Sequence, residues 1–297
     1  MKAPHWHVLG AGAMGCLFAC TLQRAGHPVT LLLRERRGQP SVPVTIEENG
    51  ASKVLSFPTS LPNERTAISH LLVTTKAYDV CPAVMSIAHR LGNESQVVLL
   101  ANGLGYAEEL KAKLPRLDCY LGTTTQGAYR IGPLHICHAG RGATRIGRPN
   151  RNVAPDWFSY WSAAIKPGSW DTDIERSLWL KLAINCAINP LTALHNCTNG
   201  ELASPHLSTQ VLGLCEEIAC ISAAAGFVIT PAQLHQQVSE VIAGTAANRS
   251  SMLQDIIAKR RTEIDYITGH LVAVGRSHGI AAPLNDNLLE RIMKLDR

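Results

Sequence analysis

Residues 5–26 read HWHVLGAGAMGCLFACTLQRAG, and their order decides the fold of the first half of the chain. Residues 5–9 read as a strand. The string Gly10-Ala11-Gly12-Ala13-Met14-Gly15 follows at once, and a helical pattern then runs through Ala25 to Gly26, which closes it as a C-cap. This is GxGxxG in the context it requires, between a strand and a helix. The first glycine allows the tight turn, the second lets backbone approach a pyrophosphate, and the third permits close helix–strand packing. The helix N-terminus adds free N–H groups and the positive end of its dipole. A dinucleotide-binding, doubly wound parallel sheet is the expectation.

Working outward, residues 29–33 form the second strand, and its end decides which dinucleotide. An acidic residue there binds a ribose 2′-hydroxyl, whereas an arginine accommodates a 2′-phosphate. The strand ends in Arg34-Glu35-Arg36-Arg37, which favours NADP; Glu35 keeps NAD open. Segments 42–46 and 53–57 flank an Asn49-Gly50 turn signal and read as a hairpin. Residues 71–74 are another buried strand, with Lys76 just past its carboxyl end as a second candidate phosphate contact. Residues 80–91 read as a helix. Residues 97–100 are a strand running into Ala101-Asn102-Gly103-Leu104-Gly105, so Asn102 also sits where doubly wound sheets bind ligands. Residues 119–146 are strand-like, 156–164 a short helix, and Lys166-Pro167-Gly168 breaks the pattern.

From Asp173 onward the text is helical, so the expected division is a dinucleotide-binding domain over 1–171 and a helical domain over 172–297. The second domain is organised by SLWLKLAINCAINPLTALHNCTNGEL, residues 177–202. Lys181, Asn185 and Asn189 fall on one side of a helix, spread over roughly 80°. A lysine flanked by Trp179, Leu180, Leu182 and Ala183 loses hydration, and desolvation lowers its pKa toward the range useful for proton transfer. Pro190 removes one helical donor, so a kink is expected at Asn189. Further helices are expected over 208–225, 231–242, 252–278 and 283–295.

Composition bounds the rest. The 297 residues exceed the usual single-core size, and 46% hydrophobic with 17% charged residues suits a globular protein. A net charge of +5, with scattered arginines outside 34–37, argues for local anion binding and against a nucleic-acid surface. None of the nine cysteines forms a CxxC pair, and Cys16, Cys20, Cys186, Cys215 and Cys220 sit in apolar runs, so buried free thiols in a reducing compartment are expected. The histidines are scattered and no metal site is expected. No run of eighteen uncharged apolar residues occurs, so neither a membrane span nor a membrane partner is expected, and the location is read as cytoplasmic.

Several motifs coincide with one family. GAGAMG at 10–15, TTKAYDV at 74–80, NGLG at 102–105, GTTT at 122–125, LWLKLAINCAINPLTAL at 178–194, NCTNGEL at 196–202, SSMLQDIIAKRRTEIDYITG at 250–269 and HGIAAPLN at 278–285 resemble the ketopantoate reductases over essentially the full length. The resemblance implies a Rossmann domain followed by an all-helical domain, and NADPH-dependent reduction of 2-dehydropantoate to pantoate, a step toward pantothenate and coenzyme A. It implies Lys181 as the catalytic proton donor, with Glu263 beside it, and Asn185, Asn189, Asn199 and Ser251 on the substrate. On the cofactor side it implies Gly10, Ala11, Gly12, Ala13, Met14, Gly15, Arg34, Lys76, Asn102, Ala128 and Glu263. Two departures are visible. Ala101 stands where glutamine or histidine is common, which removes one hydrogen bond near the nicotinamide, and Lys259 replaces a frequent glycine. The alternatives are a sister enzyme acting on another branched 2-oxo acid and a non-catalytic NADP-sensing regulator. A monomer or a homodimer is expected.

Overall fold

A strand buried at every position belongs in the middle of a parallel sheet, covered on both faces, and β1 (Trp6–Leu9) is such a strand. In the computed structural model, which describes residues 3–35 and 40–296, β1 pairs in parallel with β2 (Val29–Leu32) on one side and β5 (Ile68–Val73) on the other. The sheet also takes in β3 (Ser41–Glu48), β4 (Ala51–Ser60), β6 (Leu91–Leu99), β7 (Cys119–Thr124), β8 (Gly127–Gly132), β9 (His135–Gly140), β10 (Thr144–Gly147) and β11 (Gly168–Trp170). The strand order is β11-β10-β7-β6-β5-β1-β2-β4-β3-β9-β8, and the run from β7 to β4 is parallel throughout. The chain leaves β1 toward β2 and later returns beside β1 as β5. The crevice outside the carboxyl ends of those two strands is therefore the topological switch point.

The chain divides into two compact units, one of residues Met1–Ala101 with Tyr106–Glu175, the other of Asn102–Gly105 with Arg176–Arg297. In the sheet unit, α1 (Ala13–Arg24) buries Leu17, Phe18 and Leu22, and α4 (Trp157–Ala164) buries Trp157 and Trp161. Trp6 of β1 meets Trp161 edge-on at 5.2 Å, and Phe18 stacks on Trp161 at 5.7 Å. Each such side chain contributes about 1.5–3 kcal/mol on burial. α2 (Ala77–Ser86) starts just past β5. α3 (Tyr106–Lys113) is a helix that the sequence pattern does not predict; only Tyr106 and Leu110 are buried in it, too few for a clear apolar stripe. The Asn49-Gly50 turn joins β3 to β4 with both residues at positive φ, 51° and 76°, as a two-residue hairpin turn requires. β4 also pairs with β2 and β3 with β9, so this hairpin extends the main sheet.

The second unit contains α5 (Ile174–His195, most of it), α6 (Pro205–Ala224), α7 (Pro231–Gly244), α8 (Ser251–Ile257), α9 (Thr268–Ser277) and α10 (Pro283–Leu295). Leu182, Cys186, Leu214, Ile218, Leu234, Leu271 and Ile292 are among its buried core. α6 is long and apolar enough to cross a membrane by length and composition, but it buries Leu207, Val211, Leu214, Ile218 and Ile221 in that core and carries Glu216 and Glu217, so it reads as a core helix.

Two expectations need correction. The single helix expected over 252–278 is broken. α8 ends at Ile257, Lys259 takes a φ of 51°, and a short 3-10 turn, Ile264–Tyr266, precedes α9. Cys220 is exposed, although all nine cysteines are free thiols and six of them, including Cys16, Cys20, Cys186 and Cys215, are buried.

Candidate active site

The glycine string after β1 forms a cradle in which each glycine has its own reason. Gly10 has a φ of +105°, and a Cβ there would stand 2.7 Å from the Thr75 nitrogen. At Gly15 a Cβ would overlap the Gly10 carbonyl and the Thr74 hydroxyl, so helix and strand can approach only through glycine. At Gly12, the N-cap of α1, no atom lies within 4 Å of the Cβ position, and no side chain caps that end of the helix. Ala11 is half-buried beside it, and Ala13 and Met14 open α1 against the core of the sheet unit. Thr74 closes the floor by donating its hydroxyl to the Gly10 carbonyl at 2.9 Å. An open helix N-terminus over a close-packed glycine turn fits a dinucleotide diphosphate.

Arg34 follows β2 and is 82% exposed; its Nη2 donates to Asp79 Oδ2 at 2.9 Å. Asp79 lies in the first turn of α2, and Lys76 is that helix's N-cap. The other two arginines of the expected cluster, Arg36 and Arg37, lie outside the described residues. Ala128 is on β8, which packs against α1.

In the helical unit, the sequence places Lys181 in the middle of α5, and packing then decides its chemistry. Its neighbour Trp179 is 5% exposed, stacks on Phe227 at 4.7 Å and donates its indole N–H to Ser222 at 2.9 Å. Lys181 Nζ donates to Asn102 Oδ1 at 2.9 Å. Burial pushes the Lys181 pKa down to about 8, against an opposing pull from the Glu263 carboxylate. Glu263 is itself buried, 5% exposed, at the head of the 3-10 turn. The structure thus brings Lys181, Asn102 and Glu263 together, although 79 residues separate the first two in sequence.

Asn185 and Asn189 follow on successive turns of α5, the first half-buried and the second buried. Asn199 is not on that helix but opens the 3-10 turn Asn199–Ala203. Its Nδ2 donates to Thr245 at 2.8 Å, while its Oδ1 is buried without a partner among the described residues. A buried amide oxygen left unpaired is costly, and a ligand donor would relieve it. The Asn199 N–H donates to the Asn248 carbonyl at 2.9 Å, which ties this turn to the segment leading into α8. Ser251 begins α8 and is exposed; the preceding Ser250 caps the helix through Leu253 N and accepts the Thr192 hydroxyl at 2.7 Å.

Sequence reasoning missed Asp79 and Asp296. Asp79 stands inside the quoted TTKAYDV run, where it reads as an ordinary first-turn acid. Asp296 contacts Thr262 from 34 residues away, and nothing in local sequence announces that.

With this geometry in place, comparison with known proteins places the chain. A family model described as "Ketopantoate reductase PanE/ApbA" matches residues 6–151, and one described as "Ketopantoate reductase PanE/ApbA C terminal" matches residues 173–296. The chain is 36% identical over 292 residues to a 2-dehydropantoate 2-reductase of Vibrio cholerae, covering 98% of this chain and 97% of that one. It is 40% identical over 292 residues to a 2-dehydropantoate 2-reductase of Shigella flexneri, covering 97% and 93%. Among solved structures, D-mandelate dehydrogenase with NADH and anilino(oxo)acetate superposes with a TM-score of 0.87 over 98% of both chains; at 22% identity this shows a shared fold.

Proposed function

The chain belongs to the ketopantoate reductase family, and we propose for it the reduction of 2-dehydropantoate to pantoate with NADPH, in the cytoplasm, as a step toward pantothenate and coenzyme A. The observation that carries the chemistry is the half-buried Lys181 ammonium, bonded to Asn102 at 2.9 Å and acted on by the Glu263 carboxylate. Residues 1–171 take the cofactor and 172–297 the substrate. The backbone from Gly10 through Ala11, Gly12, Ala13 and Met14 to Gly15 cradles the diphosphate, Arg34 and Lys76 hold the 2′-phosphate, and Asn102, Ala128 and Glu263 border the remainder. When bound, NADPH supplies the hydride for the keto carbon.

The chain's own residues do the rest. Hydride arrival leaves negative charge on the keto oxygen; Lys181 stabilises that charge and delivers its proton there. Glu263 opposes the effect of burial and keeps the lysine charged until then. Asn185, Asn189 and Asn199 bond the hydroxyl and carbonyl oxygens without adding a charge that would repel a carboxylate. Ser251 donates to the carboxylate from the start of α8. The test is NADPH oxidation followed by absorbance with ketopantoate and with other branched 2-oxo acids. A kcat/KM highest for ketopantoate supports the reading. A better competing acid makes the chain a sister reductase, and no turnover with any of them leaves an NADP-binding regulator.

A further inference from the structure

One short turn holds Lys181 from two directions. Glu263 stands at its head, and its main-chain carbonyl accepts the N–H groups of Tyr266 and Ile267, each at 3.0 Å. Its carboxylate acts on the lysine ammonium. At the other end, the Tyr266 carbonyl accepts the Leu104 N–H at 2.8 Å. Gly103 lies so close to that carbonyl that a Cβ would overlap it. The loop so pinned carries Asn102, the acceptor for Lys181. Whatever fixes residues 262–266 therefore fixes both neighbours of the lysine.

Asp296 makes that connection. Its carboxylate accepts the Thr262 N–H at 3.2 Å on each oxygen and the Thr262 hydroxyl at 2.7 Å. Thr262 is fully buried, and its hydroxyl also accepts the Ile264 N–H at 3.3 Å. Asp296 is in turn held as the C-cap of α10, its N–H bonded to the Ile292 carbonyl at 3.0 Å. Neighbouring charges on the turn are engaged: Arg260 with Asp255 at 3.0 Å and Arg261 with Asp265 at 2.9 Å. Around the turn and the Asn102–Gly105 loop stand Lys181 from α5 and His270 from α9. Hydrogen bonds to an ionised acceptor are roughly twice as strong as neutral ones, so this anchor is well suited to hold a loop in one place.

We infer that Asp296 is a positioning residue for the lysine: by gripping Thr262 it fixes the turn that presents Glu263 to Lys181 and pins the loop that presents Asn102. The inference rests on the proton-donor role proposed above. It is tested by steady-state kinetics of Asp296→Ala as a function of pH, with Asp296→Glu as the conservative control. Misplacing a reacting group by ~1 Å can cost about a hundredfold, so kcat is expected to fall roughly ten- to a hundredfold. The KM for NADPH should rise by a smaller factor than kcat falls, because the glycine turn, Arg34 and Lys76 are untouched. The alkaline fall of kcat, set in the unaltered protein by a lysine pKa of about 8, should move to lower pH as Glu263 supports the ammonium less. Asp296→Glu should recover part of kcat. If Asp296→Ala does not fold, the same readouts are taken on Asp296→Asn and Thr262→Val. A variant that melts earlier yet keeps the wild-type kcat and pH limb overturns the inference, because Asp296 would then only fasten α10. A Lys181→Ala enzyme with near-normal turnover would instead overturn the role of the lysine, which is a separate outcome.

Discussion

Lys181 and Arg34 are both cations proposed to meet a ligand, and the protein holds them in opposite ways. Lys181 is half-buried in the helical unit, bonded to Asn102 and next to a buried carboxylate, and its pKa is pushed down to about 8. Arg34 stands 82% exposed on the sheet unit, in an ion pair with Asp79. A polar group surrounded by packed atoms is expensive to leave unmatched, so its partners are specified tightly. An exposed ion pair is worth about 0–1 kcal/mol and exchanges readily for another partner. In the proposed mechanism, the group that moves a proton is therefore set before substrate arrives. The group proposed to discriminate between cofactors is left free to be set by the cofactor itself.

The sharpest way to break this contrast is Lys181→Ala. General acid help is worth roughly 10²–10⁴ in rate, so kcat should fall by at least that order while cofactor affinity changes little. If the ammonium is the acid, as proposed, kcat in the unaltered enzyme should be highest below the lysine pKa and fall as pH rises through about 8. Added primary amines should restore part of the variant's activity by filling the vacated space. A correctly folded Lys181→Ala enzyme with near-normal turnover would move the acid elsewhere.

Arg34→Ala comes next. Loss of a charged phosphate contact costs on the order of 1.5–3 kcal/mol, or roughly ten- to a hundredfold in the KM for NADPH, with NADH nearly unaffected. Equal effects on both cofactors would remove the 2′-phosphate assignment. Asp79 sharpens the point, because its carboxylate holds the Arg34 guanidinium at 2.9 Å and would compete with a phosphate for it. Asp79→Asn should tighten NADPH binding by roughly threefold and leave NADH unchanged, the size expected of one exposed pair. Weaker NADPH binding in that variant would mean that the aspartate aims the arginine and does not compete for it.

The same contrast explains what could be read from the sequence. The strand–glycine–helix unit and the Lys181–Asn185–Asn189 face are local, spaced by two or by 3.6 residues, and both are visible in the text. Asn102 is marked by its place at a carboxyl strand end, whereas Glu263 could be named only because it stands in a motif of a known family. The bond from Lys181 to Asn102 depends on a loop of four residues that follows β6 yet belongs to the helical unit. Asp296 and Thr262 meet across 34 residues, and no periodicity encodes such a pair. The break in the 252–278 helix escaped because its signal, a glycine at the point of reversal, is absent here.

That break supplies the smallest expected effect and qualifies the picture of a fully settled site. α1, α6 and α9 each end with the same pair of backbone bonds, closed on Gly26, Gly226 and Gly279 at φ values of 86°, 87° and 71°. α8 ends identically, with Lys259 N–H donating to Ile256 at 3.0 Å and Arg260 N–H to Asp255 at 2.8 Å, but the left-handed position is filled by lysine at a φ of 51°. A residue with a Cβ pays about 1–2 kcal/mol there relative to a right-handed conformation, and glycine avoids that strain. Glycine also loses more chain entropy on folding, by roughly 0.5–1 kcal/mol, so the two effects partly cancel. Lys259→Gly should therefore stabilise the helical unit by about 0.5–1 kcal/mol, which corresponds to a rise of about 2 °C in Tm. Lys259 is exposed and its side chain carries no role proposed here, so kcat and both KM values should stay at wild-type levels. A lower Tm would mean that the lysine side chain makes a stabilising contact that outweighs its backbone strain. A changed kcat with an unchanged Tm would mean that the stiffness of the 259–263 loop, set at its first residue, reaches Glu263 and the lysine beyond it.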